Sequence, residues 1–183
     1  IDNVDFENIF SEDALNIIKS NFKINNSNYK DIFSDAIDMD FASGKIEFVS
    51  FKNIGNDAMD FSGSNVEIYD SNFENVKDKL ISAGEESSIK ISKMHAINSK
   101  SGIISKDGSK VYSKNIFFNN VKIPFAAYQK KPQYEHGLLA VNNFKINNFL
   151  IKFAKDEKSK ITLNNVTQLS TKDNKEILSL VNQ

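Results

Sequence analysis

The chain has 183 residues and no cysteine. Disulfide frameworks, thiolate zinc sites, iron–sulfur clusters and cysteine nucleophiles are therefore excluded, and cysteine usage does not indicate a redox compartment. Arginine is also missing. All 23 basic residues are lysine, so no guanidinium is present to clamp a phosphate or carboxylate in bidentate fashion. Set against 24 acidic residues they leave a net charge of -1, without the basic excess of proteins held to nucleic acid by phosphate contacts. Nucleic acid is not an expected partner. No apolar run approaches the ~18 residues of a membrane span, so no transmembrane segment is expected.

Glycine (7) and proline (2) are too few to punctuate a hairpin-rich sandwich. Asparagine, which tolerates the backbone of tight turns, occurs 24 times and must make the corners. Hydrophobic residues amount to 40% and aromatics to 11%, enough to bury a core and too many for a disordered chain.

The organising signal is a repeat. The pattern aromatic-x-Asn-aliphatic occurs at Phe6–Ile9, Phe51–Ile54, Phe73–Val76 and, less strictly, Phe118–Val121. Weaker copies give an anchor series of Asn8, Asp31, Asn53, Asn75, Asn98, Asn120, Asn148 and Gln168, spaced by 23, 22, 22, 23, 22, 28 and 20 residues. Upstream of most anchors stand aliphatic pairs two residues apart: Ile46/Phe48, Val66/Ile68, Ile89/Ile91, Leu139/Val141 and Ile161/Leu163. A second set lies six and eight residues downstream: Ile37/Met39, Met59/Phe61, Ile81/Ala83, Ile104/Lys106 and Ala126/Tyr128. Period two means strands, and no stretch between the corners of a repeat is long enough for a helix. Each repeat is thus one coil of a β-solenoid. Seven to eight coils of roughly 22 residues, stacked about 4.8 Å apart, give a rod on the order of 34 Å long, with the anchor amides bonded in a ladder.

Two places break the rhythm. The surplus of the long interval falls in residues 129–137, QKKPQYEHG, which is expected to form a loop over one face. Residues 171–183 leave the pattern and are expected to cap the last open coil, because an exposed rung is an edge that invites aggregation. The repeat is already under way at Phe6 and no comparable cap precedes it, so the chain is expected to be part of a longer one.

With the downstream pairs turned inward, the residues between and beyond them stack outward in columns. One column reads Asp38, Asp60, Ser82, Ser105, Ala127; the next reads Asp40, Ser62, Gly84, Asp107, Gln129. Beside them lie Asp35, Asp57, Lys79, Glu85, Lys106, Tyr128, Lys130 and Lys131. One face thus carries carboxylates at one end and lysines with a tyrosine at the other. Stacked carboxylates repel, so they raise a pKa, bind a hard cation such as calcium or bond to Ser and Lys neighbours. Asp38, Asp40 and Asp60 are the candidate calcium ligands. The loop adds Tyr134, and its mixture of aromatic and basic groups suits contact with sugar rings or an acidic polymer.

A coil of about 22 residues with an asparagine ladder resembles the right-handed parallel β-helix proteins of the pectate-lyase-like superfamily, over roughly Val4 to Leu169. Within it, Ser34–Asp38 resembles the asparagine-threonine-aspartate-glycine motif of the polygalacturonase branch, and Gly55–Ala58 resembles the paired-aspartate motif one coil on. By that match Asp57 is a catalytic candidate. Ala58 replaces the second aspartate of the pair, Ser82–Gly84 lacks the branch's histidine, and the basic motif has no arginine. The resemblance implies a secreted or cell-surface domain that binds or presents a polysaccharide or cell-surface glycan along one polar face. The substrate-binding candidates are Asp38, Asp60, Asp107, Lys130, Lys131 and Tyr134. The enzymatic alternatives are a glycoside hydrolase or, ahead of it, a lyase acting by β-elimination on a uronate polymer, with Lys106 or Lys130 as base and Tyr128 as acid. A structural spacer of a larger surface protein is the third reading.

Overall fold

Ladder positions from Asn8 to Asn148 all sit at corners with left-handed φ, between 52° and 58°, in the computed structural model, which describes residues 1–182. That region is costly for side chains with a Cβ, and Asn and Asp tolerate it best. Of the 21 described non-glycine residues with positive φ, 12 are Asn and 3 are Asp. The abundance of asparagine is thereby explained. Each coil needs about three such corners, and seven glycines could not supply them.

Three runs of strand follow one another in every coil. The first coil comprises β1 (Asp5–Ile9), β2 (Asp13–Ile18) and β3 (Asn21–Asn25). Next come β4 (Asn28–Ile32), β5 (Asp35–Asp40), β6 (Ser43–Ile54), β7 (Met59–Ser62), β8 (Asn65–Val76) and β9 (Lys79–Gly84). In β10 (Ser88–Lys106) and β11 (Lys110–Tyr128) the strand continues round the corners. The last coils hold β12 (Leu138–Asn147), β13 (Phe153–Lys155), β14 (Lys160–Leu163) and the two-residue β15 (Val166–Thr167), followed by helix α1 (Asn174–Asn182).

Pairing between successive coils is parallel throughout, apart from the closing β14–β15 hairpin. The molecule is a parallel β-solenoid of about seven coils with three faces. The first face runs from β1 and β4 through the ends of β6 and β8 to β12; the second runs β2, β5, β7, β9, the ends of β10 and β11, then β13. The third starts at β3 and ends at β14.

Inside, like residues stack on like. Phe6, Tyr29, Phe51 and Phe73 form a column with centroids 4.7, 5.0 and 4.9 Å apart and nearly parallel rings. That is the offset-stacked geometry aromatic pairs favour, repeated at the rung spacing. The ladder is continuous over five coils: Asn53 donates to Asp31 (2.7 Å), Asn75 to Asn53 (2.9 Å), Asn98 to Asn75 (3.4 Å) and Asn120 to Asn98 (2.9 Å). Asn148 instead donates to Asn119 (3.0 Å), and the Gln168 amide bonds to the Val166 carbonyl within the antiparallel hairpin, outside the ladder.

Two register expectations are corrected. The inward pair of β6 is Gly44/Ile46, aligned with Val66/Ile68, while Phe48 takes the corner at φ 55° and is exposed. Gly44 is required there, because a Cβ would stand 2.2 Å from the Phe22 carbonyl oxygen. On the second face, Ile103 and Ser105 pair with Ile81 and Ala83, so Ile104 and Lys106 turn outward. Lys79 stands four positions past Asn75, but its pairing partner Ser101 stands only three past Asn98, and this shorter corner slips the strand by one residue.

The tail begins on the last rung of the second face, where the Lys172 amide donates to the Lys155 carbonyl at the end of β13 (2.9 Å). Helix α1 packs against the outer surface of the second face, burying Ile177 and Val181 against Ile104, Ile123, Ala126, Tyr128 and Ala154. Its sequence alternates buried and exposed positions as an amphipathic helix must. Gln183 lies outside the described residues.

Candidate functional site

The corrected register sets the outer columns of the second face as Asp38, Asp60, Ser82, Ile104, Ala126 and, two residues on, Asp40, Ser62, Gly84, Lys106, Tyr128. Both columns change character where α1 begins to cover them. The covered end is apolar and the open end is charged.

At the open end a trough of about 230 Å³ brings together Asp38 and Asp40 from β5, Asp60 and Ser62 from β7, and Lys106 from β10. Its wall is completed by Glu85, Asp107, Lys130 and Lys131 at the corner and in the inserted loop. Seven of the residues singled out from the sequence therefore converge. Ser62, Ser82 and Glu85 were placed by the column arithmetic but not chosen as site residues, since nothing in their identity marks them.

Lys106 is the centre of the arrangement. Its ammonium donates to the Ser82 hydroxyl at 2.9 Å and lies 3.9 Å from an Asp60 carboxylate oxygen. Asp60 also accepts from the Phe61 amide (3.0 Å). Lys131 pairs with Glu85 across the corner. Asp107 is fully buried: one oxygen accepts from the amides of Lys130 (2.6 Å) and Lys131 (2.7 Å), and the other has no partner among the described residues. It fixes the start of the loop. Asp156 fixes its return, accepting from the Gln129 (2.8 Å) and Ser159 (2.6 Å) amides and meeting His136 Nδ1 at 3.0 Å. Although burial works against its charge, these donors hold its carboxyl below the usual range.

Crowding of like charge leaves its mark on the trough. Burial, then the neighbouring Asp40 and Asp60, push the Asp38 carboxyl up to about 7. Repulsion from Lys106, then burial, lowers Lys130. Near neutral pH the trough thus offers carboxylate acceptors, a carboxyl that can donate, and ammonium donors. That mixture is suited to a ligand rich in hydroxyl groups.

The remaining candidates lie elsewhere. Asp57 is buried at the corner end of the second face, where it accepts from the Lys79 amide (3.0 Å) and ammonium (3.4 Å) and its own amide donates to Asp35 (2.8 Å). Burial drives its carboxyl upward, whereas Asp57 and Asp78 keep Lys79 charged in spite of its burial. Tyr128 is on an outward column but beneath α1, fully buried, and its hydroxyl has no partner among the described residues. It presents no atom to the trough, and burial pushes its phenol up. Tyr134 is half-buried in the loop and does not line the trough. Asp38, Asp40 and Asp60 are neighbours without converging on one point, and among the described residues no set of three or more His, Cys, Asp or Glu side chains is arranged to hold a metal ion. Phe41, which follows Asp40 in the chain, is 57% exposed and rests its ring against Gly63, outside the lining of the trough.

These features define a parallel β-solenoid with a charged trough on one face. Comparison with protein-family models, with curated proteins and with solved structures finds no match for the chain.

Proposed function

We propose that this chain is a glycan-binding β-solenoid, a right-handed helix of the pectate-lyase-like kind acting in a secreted or cell-surface setting. The observation that carries this reading is the convergence of carboxylates, lysines and serines from successive coils in one trough; the exposed Phe41 follows Asp40 in the chain. Carboxylates and ammonium groups bond sugar hydroxyls, and an aromatic face covers the apolar side of a pyranose ring. Five carboxylates face three ammonium groups in the trough, so uncharged glycans are the preferred class. The stacked coils supply rigidity, which keeps Asp38, Asp40, Asp60 and Lys106 in place without a further entropy cost on binding.

Catalysis by β-elimination has one supporting feature, the lowered Lys130, which makes a neutral amine more accessible as a base. Both readings are tested together. Migration of the chain in gels containing uncharged polysaccharides should be retarded, and the Asp60→Ala/Lys106→Ala variant should run unretarded. Retardation that survives this double change would overturn the trough as the binding site. Ultraviolet-absorbing unsaturated product from polygalacturonate or alginate would instead establish a lyase.

A further inference from the structure

A second concavity runs along the corner between the first and second faces, over the asparagine ladder. Its volume is about 630 Å³, and it spans the rungs of Asn53, Asn75, Asn98 and Asn120. Each of these amides spends one N–H on the ladder bond beneath it. An asparagine amide has two such donors, so each of the four exposed rungs has a second N–H available to solvent. They recur about every 4.8 Å.

The wall beside this row carries Lys77, Lys100 and Lys122, from three successive coils, and the groove has no acidic residue in its lining. Elsewhere on this solenoid, lysine columns are interleaved with acids: Lys45 and Lys90 both pair with Glu67, Lys52 with Glu74, Lys30 with Glu7 and Lys93 with Asp70. Here only Lys100 is paired, to Asp78 at 2.8 Å, while Lys77 and Lys122 are exposed and make no ion pair among the described residues. At the amino-terminal end of the groove stands Phe33, 68% exposed, with its ring 6.3 Å from that of Phe10.

We infer that this groove binds an extended acidic polysaccharide, with the ladder amides and the lysine column meeting its hydroxyl and carboxylate groups and Phe33 covering a terminal ring. The unpaired lysines call for an anion, and the row of exposed amides, each with a second N–H, favours one that offers hydroxyl and ring-oxygen acceptors between its carboxylates, as an acidic glycan does. Duplex nucleic acid carries one charge per about 1.7 Å, far denser than three ammonium groups at rung spacing. The inference extends the glycan-binding reading to a second site but stands on different residues from the trough.

The test uses the whole chain and four probes in the presence of a chelator: polygalacturonate, its methyl-esterified form, poly-glutamate and oligo-dT. Polygalacturonate should bind and its ester should not. The exposed pair of changes Lys77→Glu/Lys122→Glu should weaken binding at least tenfold with an unchanged circular dichroism spectrum, while Asp60→Ala/Lys106→Ala leaves it intact. Absent binding of polygalacturonate, insensitivity to the charge reversal, or equal affinity for poly-glutamate or oligo-dT would each overturn the inference. Because the trough is probed with uncharged glycans and its own variant, the two sites can fail separately.

Discussion

Lys106 lies across the bare backbone of Gly84, with its Cε only 2.9 Å from where a Cβ would be, and so reaches the Ser82 hydroxyl two residues away on the neighbouring strand. A glycine in the sheet thus gives a lysine the room to lie flat along the floor of the trough. The same residue type does something different in β6, where the obstacle to a Cβ at Gly44 is the backbone of Phe22.

The contrast makes a paired prediction. Gly84→Ala should change stability by less than about 1 kcal/mol, because a flexible side chain can move away, yet it should displace Lys106 and weaken glycan retention. Gly44→Ala should cost about 3 kcal/mol, since the strand itself must shift. Urea unfolding of the two variants checks the order.

The ladder can be dissected at Asn75, which donates to Asn53 and accepts from Asn98 at φ 58°. Asn75→Ala loses both bonds and puts alanine, which tolerates left-handed backbone less well than asparagine, at the corner, for a combined cost of about 2–4 kcal/mol. Asn75→Gly loses the bonds but relieves the backbone, and should be the more stable variant by about 1 kcal/mol. Equal stability of the two would show that the corner conformation is not what selects asparagine.

Titration of Asp38 should be visible in stability. In the folded chain it titrates at about 7, against about 3.9 when unfolded, so between these values the folded state holds the extra proton. Its contribution therefore favours folding at low pH and is lost as the pH rises from about 4 to 7. Asp38→Asn should flatten that part of the curve and be the more stable form at pH 8. Unfolding free energies measured across this range decide it, and parallel curves for the two proteins would contradict the assignment.

Tyr128 buries a hydroxyl without a partner among the described residues, which costs about 1–3 kcal/mol relative to a satisfied group. Tyr128→Phe should accordingly raise stability by about 1 kcal/mol and leave glycan retention untouched. A loss of binding or of any lyase activity would place the phenol in the site after all. Thermal unfolding and gel retardation, read on the same preparation, suffice.

How far the sequence reaches can be judged from particular residues. Asn53, Asn75, Asn98 and Asn120 were legible as a ladder because corners repeat at nearly constant spacing and few residue types tolerate them. The cluster of Asp38, Asp40, Asp60 and Lys106 followed from the same arithmetic. Lys106 entered it from a position assigned to the interior, because the missing corner residue after Asn98 has no signature in the pattern. Phe48 shows the same limit in reverse. An aromatic two residues from an isoleucine reads as a strand pair, and only the crowding of β6 against Phe22 shows that glycine occupies the inward place.

The sequence by itself determined the coil, its period and the side-chain types at each rung, since parallel stacking repeats a local rule that one coil already contains. Tertiary structure alone decided which outer positions remain open. Helix α1 folds back from beyond the last coil to cover Ile104, Ala126 and Tyr128, ending the trough where it does. That contact joins residues about 50 to 75 positions apart that the repeat does not relate, and depends on two surfaces that become apolar together only once both have formed.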